Sequence, residues 1–378
     1  LLEFSTDDAG VSWLARRIGQ FNTPTLNTSL NQAGNLFGGT AGLTIGTDGT
    51  NLYAVGSDYS FAASYLGGSK MLSSTGWIYD NGLRNAFGGY GNPDGPVIVG
   101  SAANTICIIG NNFGRIGIYS GAATPGVGSW NISTQLSSTT WGANTVKSGV
   151  WFGSLARYVI GGDNGRIAYS NDYGFNWTYS ASLSGTTFGS AQTVTAIVSN
   201  TGSSNVCAIG STAGVGTSSD GITWTYQGGL ITAWTSGVPT SAFYGNGIIM
   251  VGGQSGKLAT SADGVTWTNQ AALAATAFST NTVTSVVYTG TAWVVTSSGG
   301  VTAASTDNGV TWTAYTTLQT ALGGTTPNTP SILTGLVAGS SGTVMAYGSR
   351  GAFAYSADNG ATWTMYEGPC RTCLLYTS

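Results

Sequence analysis

The chain carries 14 acidic side chains and no histidine, and this bounds the chemistry open to it. Hydrolysis of a glycoside usually needs two carboxylates across the scissile bond, so the surroundings of each acid matter. Asp8, Asp172, Asp220, Asp263, Asp307 and Asp358 all fall in one recurring turn motif. Asp7 abuts the first of these, while Asp48 and Asp94 sit in Thr-Asp-Gly-Thr and Asn-Pro-Asp-Gly-Pro, both turn-forming. Glu3 and Glu367 lie near the ends, with no Glu between them. That leaves Asp58, Asp80 and Asp163, and Asp163 sits in another turn, Gly162-Asp163-Asn164-Gly165. Ser–His and Cys–His catalysis is excluded for want of the base. The chain is therefore expected to have no catalytic residue and no cofactor.

Metal, nucleic acid and membrane readings are also weak. Cys370 and Cys373 form a CxxC, the spacing of a zinc half-site or redox pair. No second CxxC or His completes a tetrahedral set, so no metal is expected. Cys107 and Cys207 lie in apolar segments and read as small core residues. The 11 basic residues are scattered, with only Arg16 and Arg17 adjacent, so a stripe for a phosphate backbone is missing. No apolar run reaches the roughly 20 residues of a membrane helix. Aromatics at 11% against only 7% charged residues indicate a folded chain.

The elements that position these residues come from a repeat. Ser305-Thr306-Asp307-Asn308-Gly309-Val310-Thr311-Trp312 recurs as Ser356 through Trp363, as Ser170 through Trp177 with Asn176 for Thr, and as Thr6 through Trp13 with Ser12 for Thr. Copies ending at Trp224 and Trp267 are one residue shorter before Gly, and degenerate copies ending at Trp77 and Trp130 lack the Asp. These eight tryptophans recur about every 50 residues, a propeller-like period. One unit shows four short strands joined by tight turns: 283–288, 293–296, 301–305 and 310–313. They are labelled A to D, from the axis outwards. The Asp can accept backbone N–H groups two or more residues on, and Gly supplies positive φ. The Trp can cover the hairpin and enter the packing between sheets. The motif is thus expected to fasten the C–D hairpin.

On these motifs the chain resembles the Asp-box, or BNR-repeat, family, which includes sialidases, photosystem II assembly propellers and phage-associated proteins. The resemblance implies an all-β fold: a seven-bladed β-propeller of four-stranded antiparallel blades. Eight is the alternative if the hairpin within residues 1–17 is completed by strands from the other end. It also implies that the box aspartates, with Trp13, Trp177, Trp224, Trp267, Trp312 and Trp363, are scaffold residues on the face away from any ligand. A sialidase would want three clamping arginines and a Tyr–Glu pair. Arg84, Arg115, Arg157, Arg166 and Arg350 are present without a matching motif around them.

Two periodic features remain as ligand candidates. Arg115, Arg166 and Arg350 close B–C loops in three units and could hold a small anion, or simply be loop-end charges. Phe87, Trp141, Phe188, Trp234, Phe278 and Leu322 follow the box Trp by 10 or 11 residues. Trp141 and Trp234 could be stacking platforms for sugars, or the series could seal the joints between sheets.

Residues 1–367 are expected to form one propeller, with 1–17 a surplus or closing hairpin. Residues 368–378 read as a non-native tail, and 373–378 resemble sequencing-adapter read-through. The first residue is Leu1, so a signal peptide upstream is compatible with the sequence. The expected function is a non-enzymatic binding or structural propeller, extracellular or virion-associated, with a glycan or protein surface as partner. A glycoside hydrolase and a photosystem-assembly scaffold are the alternatives.

Overall fold

The computed structural model describes residues 2–6, 13–17, 43–47, 51–56, 61–65, 78–80, 83, 87, 97–100, 106–120, 129–181, 183, 186–188, 192–200, 204–271, 273–276, 278, 281–321, 333–339, 341–348 and 353–366. They form seven four-stranded antiparallel sheets and one two-stranded hairpin. Sheet 1 runs Leu43–Thr47, Asn51–Gly56, Phe61–Tyr65, Ile78–Asp80, and sheet 2 Val97–Val99, Ile106–Gly110, Ile116–Ser120, Ser129–Ser133. Sheet 3 is Val146–Phe152, Arg157–Gly162, Ile167–Ser170, Thr178–Ser180, and sheet 4 Val194–Asn200, Asn205–Gly210, Val215–Ser218, Thr225–Gln227. Sheet 5 is Pro239–Gly245, Ile248–Gly253, Leu258–Ser261, Thr268–Asn269, and sheet 6 Val283–Tyr288, Trp293–Ser297, Thr302–Ser305, Thr313–Tyr315. Sheet 7 is Leu333–Ala338, Val344–Gly348, Phe353–Ser356, Thr364–Tyr366. Within each sheet, strands A to D pair in sequence order.

Strand A of every sheet packs beside strand A of the next, and that of sheet 7 lies beside that of sheet 1. The sheets therefore close into a ring without a free inner edge, the arrangement of a β-propeller. Leu2–Thr6 pairs with Trp13–Arg17 as a separate hairpin. Serines stitch the inner strands together: Ser148 Oγ donates to Val194 O (3.0 Å), and Ser241 and Ser285 Oγ accept the N–H groups of Val286 (3.0 Å) and Leu336 (3.1 Å). In sheets 4, 5 and 6 a β-bulge in strand A frees a threonine whose hydroxyl donates back to strand B, as Thr195 does to Ile209 O at 3.1 Å.

The core is a set of joints between neighbouring sheets. Strand B shows why: from Tyr158 to Gly162 every residue is buried, because each face of the strand meets a different neighbour. One joint combines Ile108 and Ile118 of sheet 2 with Trp141, Tyr158, Ile160 and Trp177. Such double-sided burial suits continuous apolar runs, not the alternation of a sheet with one wet face. Strand D is the wet rim, with Thr178, Thr225, Thr268, Thr313 and Thr364 exposed.

The largest boundary difference from the sequence expectation lies in sheet 6. Strand D of sheet 6 begins at Thr313, not Val310. Residues 306–312 stay in the turn because the Asp307 carboxylate accepts both the N–H (2.9 Å) and the hydroxyl (2.5 Å) of Thr311. Val310 projects into solvent, 61% exposed.

Candidate functional site

The five described boxes share one hydrogen-bond pattern. A buried Ser donates its hydroxyl to the Asp, at 2.8 Å for Ser170–Asp172, 2.9 Å for Ser218–Asp220, 3.0 Å for Ser261–Asp263, and 2.7 Å for both Ser305–Asp307 and Ser356–Asp358. The same Oγ accepts the N–H of the box glycine at 2.8 Å in every copy. The Asp accepts the N–H of the residue before the Trp: Asn176, Thr223, Thr266, Thr311 or Thr362. The Trp177, Trp267, Trp312 and Trp363 indoles close the turn by donating to the box glycine's carbonyl. The carboxylates are thus acceptors in a filled network, the state that favours the ionised form. For Asp307 the Thr311 hydroxyl and N–H are the largest causes, bringing its pKa to about 2. For Asp172, Asp220, Asp263 and Asp358, burial pulls upward but the hydrogen bonds outweigh it, and each lies below the usual carboxylate value.

The boxes also dock sheets together, which the local motif did not reveal. Each box glycine presses on strand B of the preceding sheet. A Cβ on Gly221 would stand 2.9 Å from Val159 Cγ2, on Gly309 3.0 Å from Met250 Cε, on Gly174 3.0 Å from Ile108 Cγ2, and on Gly360 3.2 Å from Val294 Cγ1. Side chains add cross-links: Ser133 Oγ donates to Phe175 O (3.0 Å), Ser180 Oγ to Ile222 O (2.6 Å) and Asn200 Nδ2 to Ala262 O (2.8 Å). The box from Thr6 to Trp13, and the degenerate copy ending at Trp77, lie outside the described side chains.

The opposite face carries the D–A connections and B–C loops, and hydrogen bonds knit these too. Asp163 Oδ2 accepts the Thr145 N–H and Oδ1 the Thr193 hydroxyl, both at 3.3 Å, linking two successive connections. Asp163 is the one carboxylate outside the boxes whose side chain is described, and it is occupied as a turn anchor. The side chains of Asp58 and Asp80 lie outside the described set. Among the described residues no group of three His, Cys, Asp or Glu could hold a metal ion, and no helix is long and apolar enough to cross a membrane.

The structure separates the aromatic ligand candidates from solvent. Trp141 is 0% and Trp234 2% exposed, so neither ring offers an open face for stacking. Phe87, Phe188 and Phe278 are equally buried; Leu322 lies outside the described residues. Strand-end glycines make room for the rings: a Cβ on Gly162 would meet Trp141 Cζ2 at 2.6 Å, and one on Gly253 would meet Trp234 Cη2 at 2.7 Å. The described members of the series seal joints. A second series escaped notice in the sequence: Leu83, Leu136, Leu183, Leu230, Leu273 and Leu318, each six residues after a repeat Trp and each 0% exposed.

Arg115 and Arg166 occupy equivalent loop ends, and Lys257 holds the same place in sheet 5; Arg350 is outside the described residues. Arg166 Nε donates to Thr140 O at 3.1 Å, and Lys257 Nζ to Trp234 O at 3.0 Å and to Ser236 O. These cations tie the B–C loop to the D–A connection entering the same sheet. Lys257 escaped the sequence reading because Lys and Arg share the role.

A cavity of about 320 Å³ lies between sheets 4 and 5, lined among others by Ser211, Thr212, Ile231, Ser236, Val238 and Gln254. The short helix Gly229–Trp234 forms one wall, anchored by buried Leu230 and Trp234 while Ile231 stays 37% exposed. No charged side chain lines the cavity.

Ring closure and the repeated sheets define a β-propeller, and solved structures agree. No family model matches the chain, and no curated protein matches it. The fold is similar to that in "YCF48 bound to D1 peptide", with 15% identity over 84% of this chain and 91% of that one, TM-score 0.57. It is also similar to virginiamycin B lyase from Staphylococcus aureus, with 12% identity over 83% and 94%, TM-score 0.57. At these identities the likeness is one of fold, which propellers lend to both scaffolds and enzymes.

Proposed function

We propose that the chain is a non-catalytic binding propeller that engages an uncharged polypeptide segment at the cavity between sheets 4 and 5. The cavity carries the reading. Its size lies near the lower end of ligand sites, roughly 300–1,000 Å³. Its lining combines exposed Gln254 and Thr212, which can bond a peptide main chain, with an apolar wall at Ile231 and Val238. Peptide binding by a similar fold supports this choice of partner. Low charge and richness in Gly favour a place outside the cell or on a virion.

The test is parallel binding of purified protein to a random peptide library and a glycan array. Peptide binding that is lost in Ile231→Asp and Gln254→Ala is expected. Binding confined to glycans would replace the partner, and binding unaffected by both variants would remove the cavity from the proposal. Glycan turnover lost on changing Asp58 or Asp80 would overturn the non-catalytic reading.

A further inference from the structure

Four Asn-Gly pairs lie among the described residues: Asn164-Gly165, Asn246-Gly247, Asn308-Gly309 and Asn359-Gly360. Such pairs can modify themselves, because a glycine amide nitrogen is unhindered and mobile enough to reach the preceding Asn side chain. Three are held back. Gly165 N–H donates to Gln192 O at 2.5 Å, and those of Gly309 and Gly360 donate to Ser305 and Ser356 Oγ at 2.8 Å. Asn246-Gly247 differs. It is the A–B turn of sheet 5, with both residues exposed, and nothing stands within 4 Å of where a Gly247 side chain would begin. The Gly247 N–H has no hydrogen-bond acceptor among the described residues.

We infer that Asn246 is a self-modification site that loosens the joint between sheets 5 and 6. Gly247 N loses its proton to solvent base and attacks Asn246 Cγ. A C–N bond forms, the bond from Cγ to the amide nitrogen breaks, and ammonia leaves. Water then opens the cyclic imide at either carbonyl, giving Asp or isoAsp without any redox change. The product matters because Asn246 Nδ2 donates to Asn308 Oδ1 at 2.8 Å, an oxygen that also accepts the Trp293 indole N–H at 3.1 Å. An acid at position 246 has no N–H to give and sets a carboxylate against that oxygen. IsoAsp additionally lengthens the main chain inside a two-residue turn.

The test is prolonged incubation of folded protein at mildly alkaline pH, with peptide mapping by mass spectrometry. Conversion at Asn246 is expected at least about tenfold faster than at Asn164, Asn308 and Asn359, which react only through local opening, while all four should convert at similar rates in denaturant. Equal rates in the folded protein, or a stable Asn246, would overturn the inference. A second measurement isolates the consequence. Asn246→Asp should lower the thermal midpoint, and should lower it no further in an Asn308→Ala background; an undiminished additional loss there would refute the link.

Discussion

Gly264 lies so close to Cys207 of the preceding sheet that a Cβ on the glycine would collide with Sγ. The glycine sits at φ +77° in the box turn, while the cysteine is 0% exposed in strand B. One residue therefore serves the turn, which needs positive φ, and the joint, which needs no side chain. The same relation repeats from Gly174 against Ile108 to Gly360 against Val294. The box is thus a sheet-to-sheet fastener as well as a hairpin turn.

Gly264→Ala should destabilise the protein by about 2–4 kcal/mol, combining left-handed strain with overpacking. Gly247→Ala is the control, since it shares positive φ (+78°) but has open space around it. Denaturant unfolding measures both, and equal costs would mean that the contact with Cys207 contributes nothing.

Cys207 should resist alkylation in the native protein. Burial, with the Asp263 charge adding to it, pushes its thiol up to about 12, so the reactive thiolate is scarce at neutral pH. Peptide mapping after thiol labelling should find Cys207 unlabelled until denaturant is added. Rapid native labelling would show that the joint between sheets 4 and 5 opens readily.

Ser305→Ala should cost about 1–3 kcal/mol, because it strands the buried Gly309 N–H and removes a donor to Asp307. Thermal melts against wild type measure it. An unchanged midpoint would mean that the turn holds without its serine.

Acid should loosen the boxes together. Their carboxylates have folded pKa values below the unfolded one of about 3.9, so their contribution is complete above that value and lost as pH falls through the folded values, about 2 for Asp307. The thermal midpoint should be flat above roughly pH 5 and fall between about pH 4 and pH 2. A midpoint that is insensitive to pH in that window would contradict the network.

Leu183→Ala should be as damaging as a box substitution, at about 2–5 kcal/mol, since the side chain fills the joint between sheets 3 and 4. A loss under about 1 kcal/mol would show that the joint collapses around the gap.

The fold was legible because its signals are local. Asp, Gly and Trp at fixed offsets write the same turn in each copy, and the runs between them are short and β-branched. The leucine series was equally periodic, but leucine carries no chemistry that draws attention to it, unlike the aromatics beside it. The start of strand D was misplaced because Val310 and Thr311 have strand propensity, and the Asp307 carboxylate overrides it.

The sequence by itself determined the repeat and the turn chemistry, because hydrogen bonds inside a turn depend on residues a few positions apart. Tertiary structure alone decided what each unit meets. Trp141 and Trp234 became joint fillers, and the space beside Gln254 became a cavity, because burial is set by the neighbouring sheet. That neighbour is fixed only when the ring closes through Leu333–Ala338 onto Leu43–Thr47.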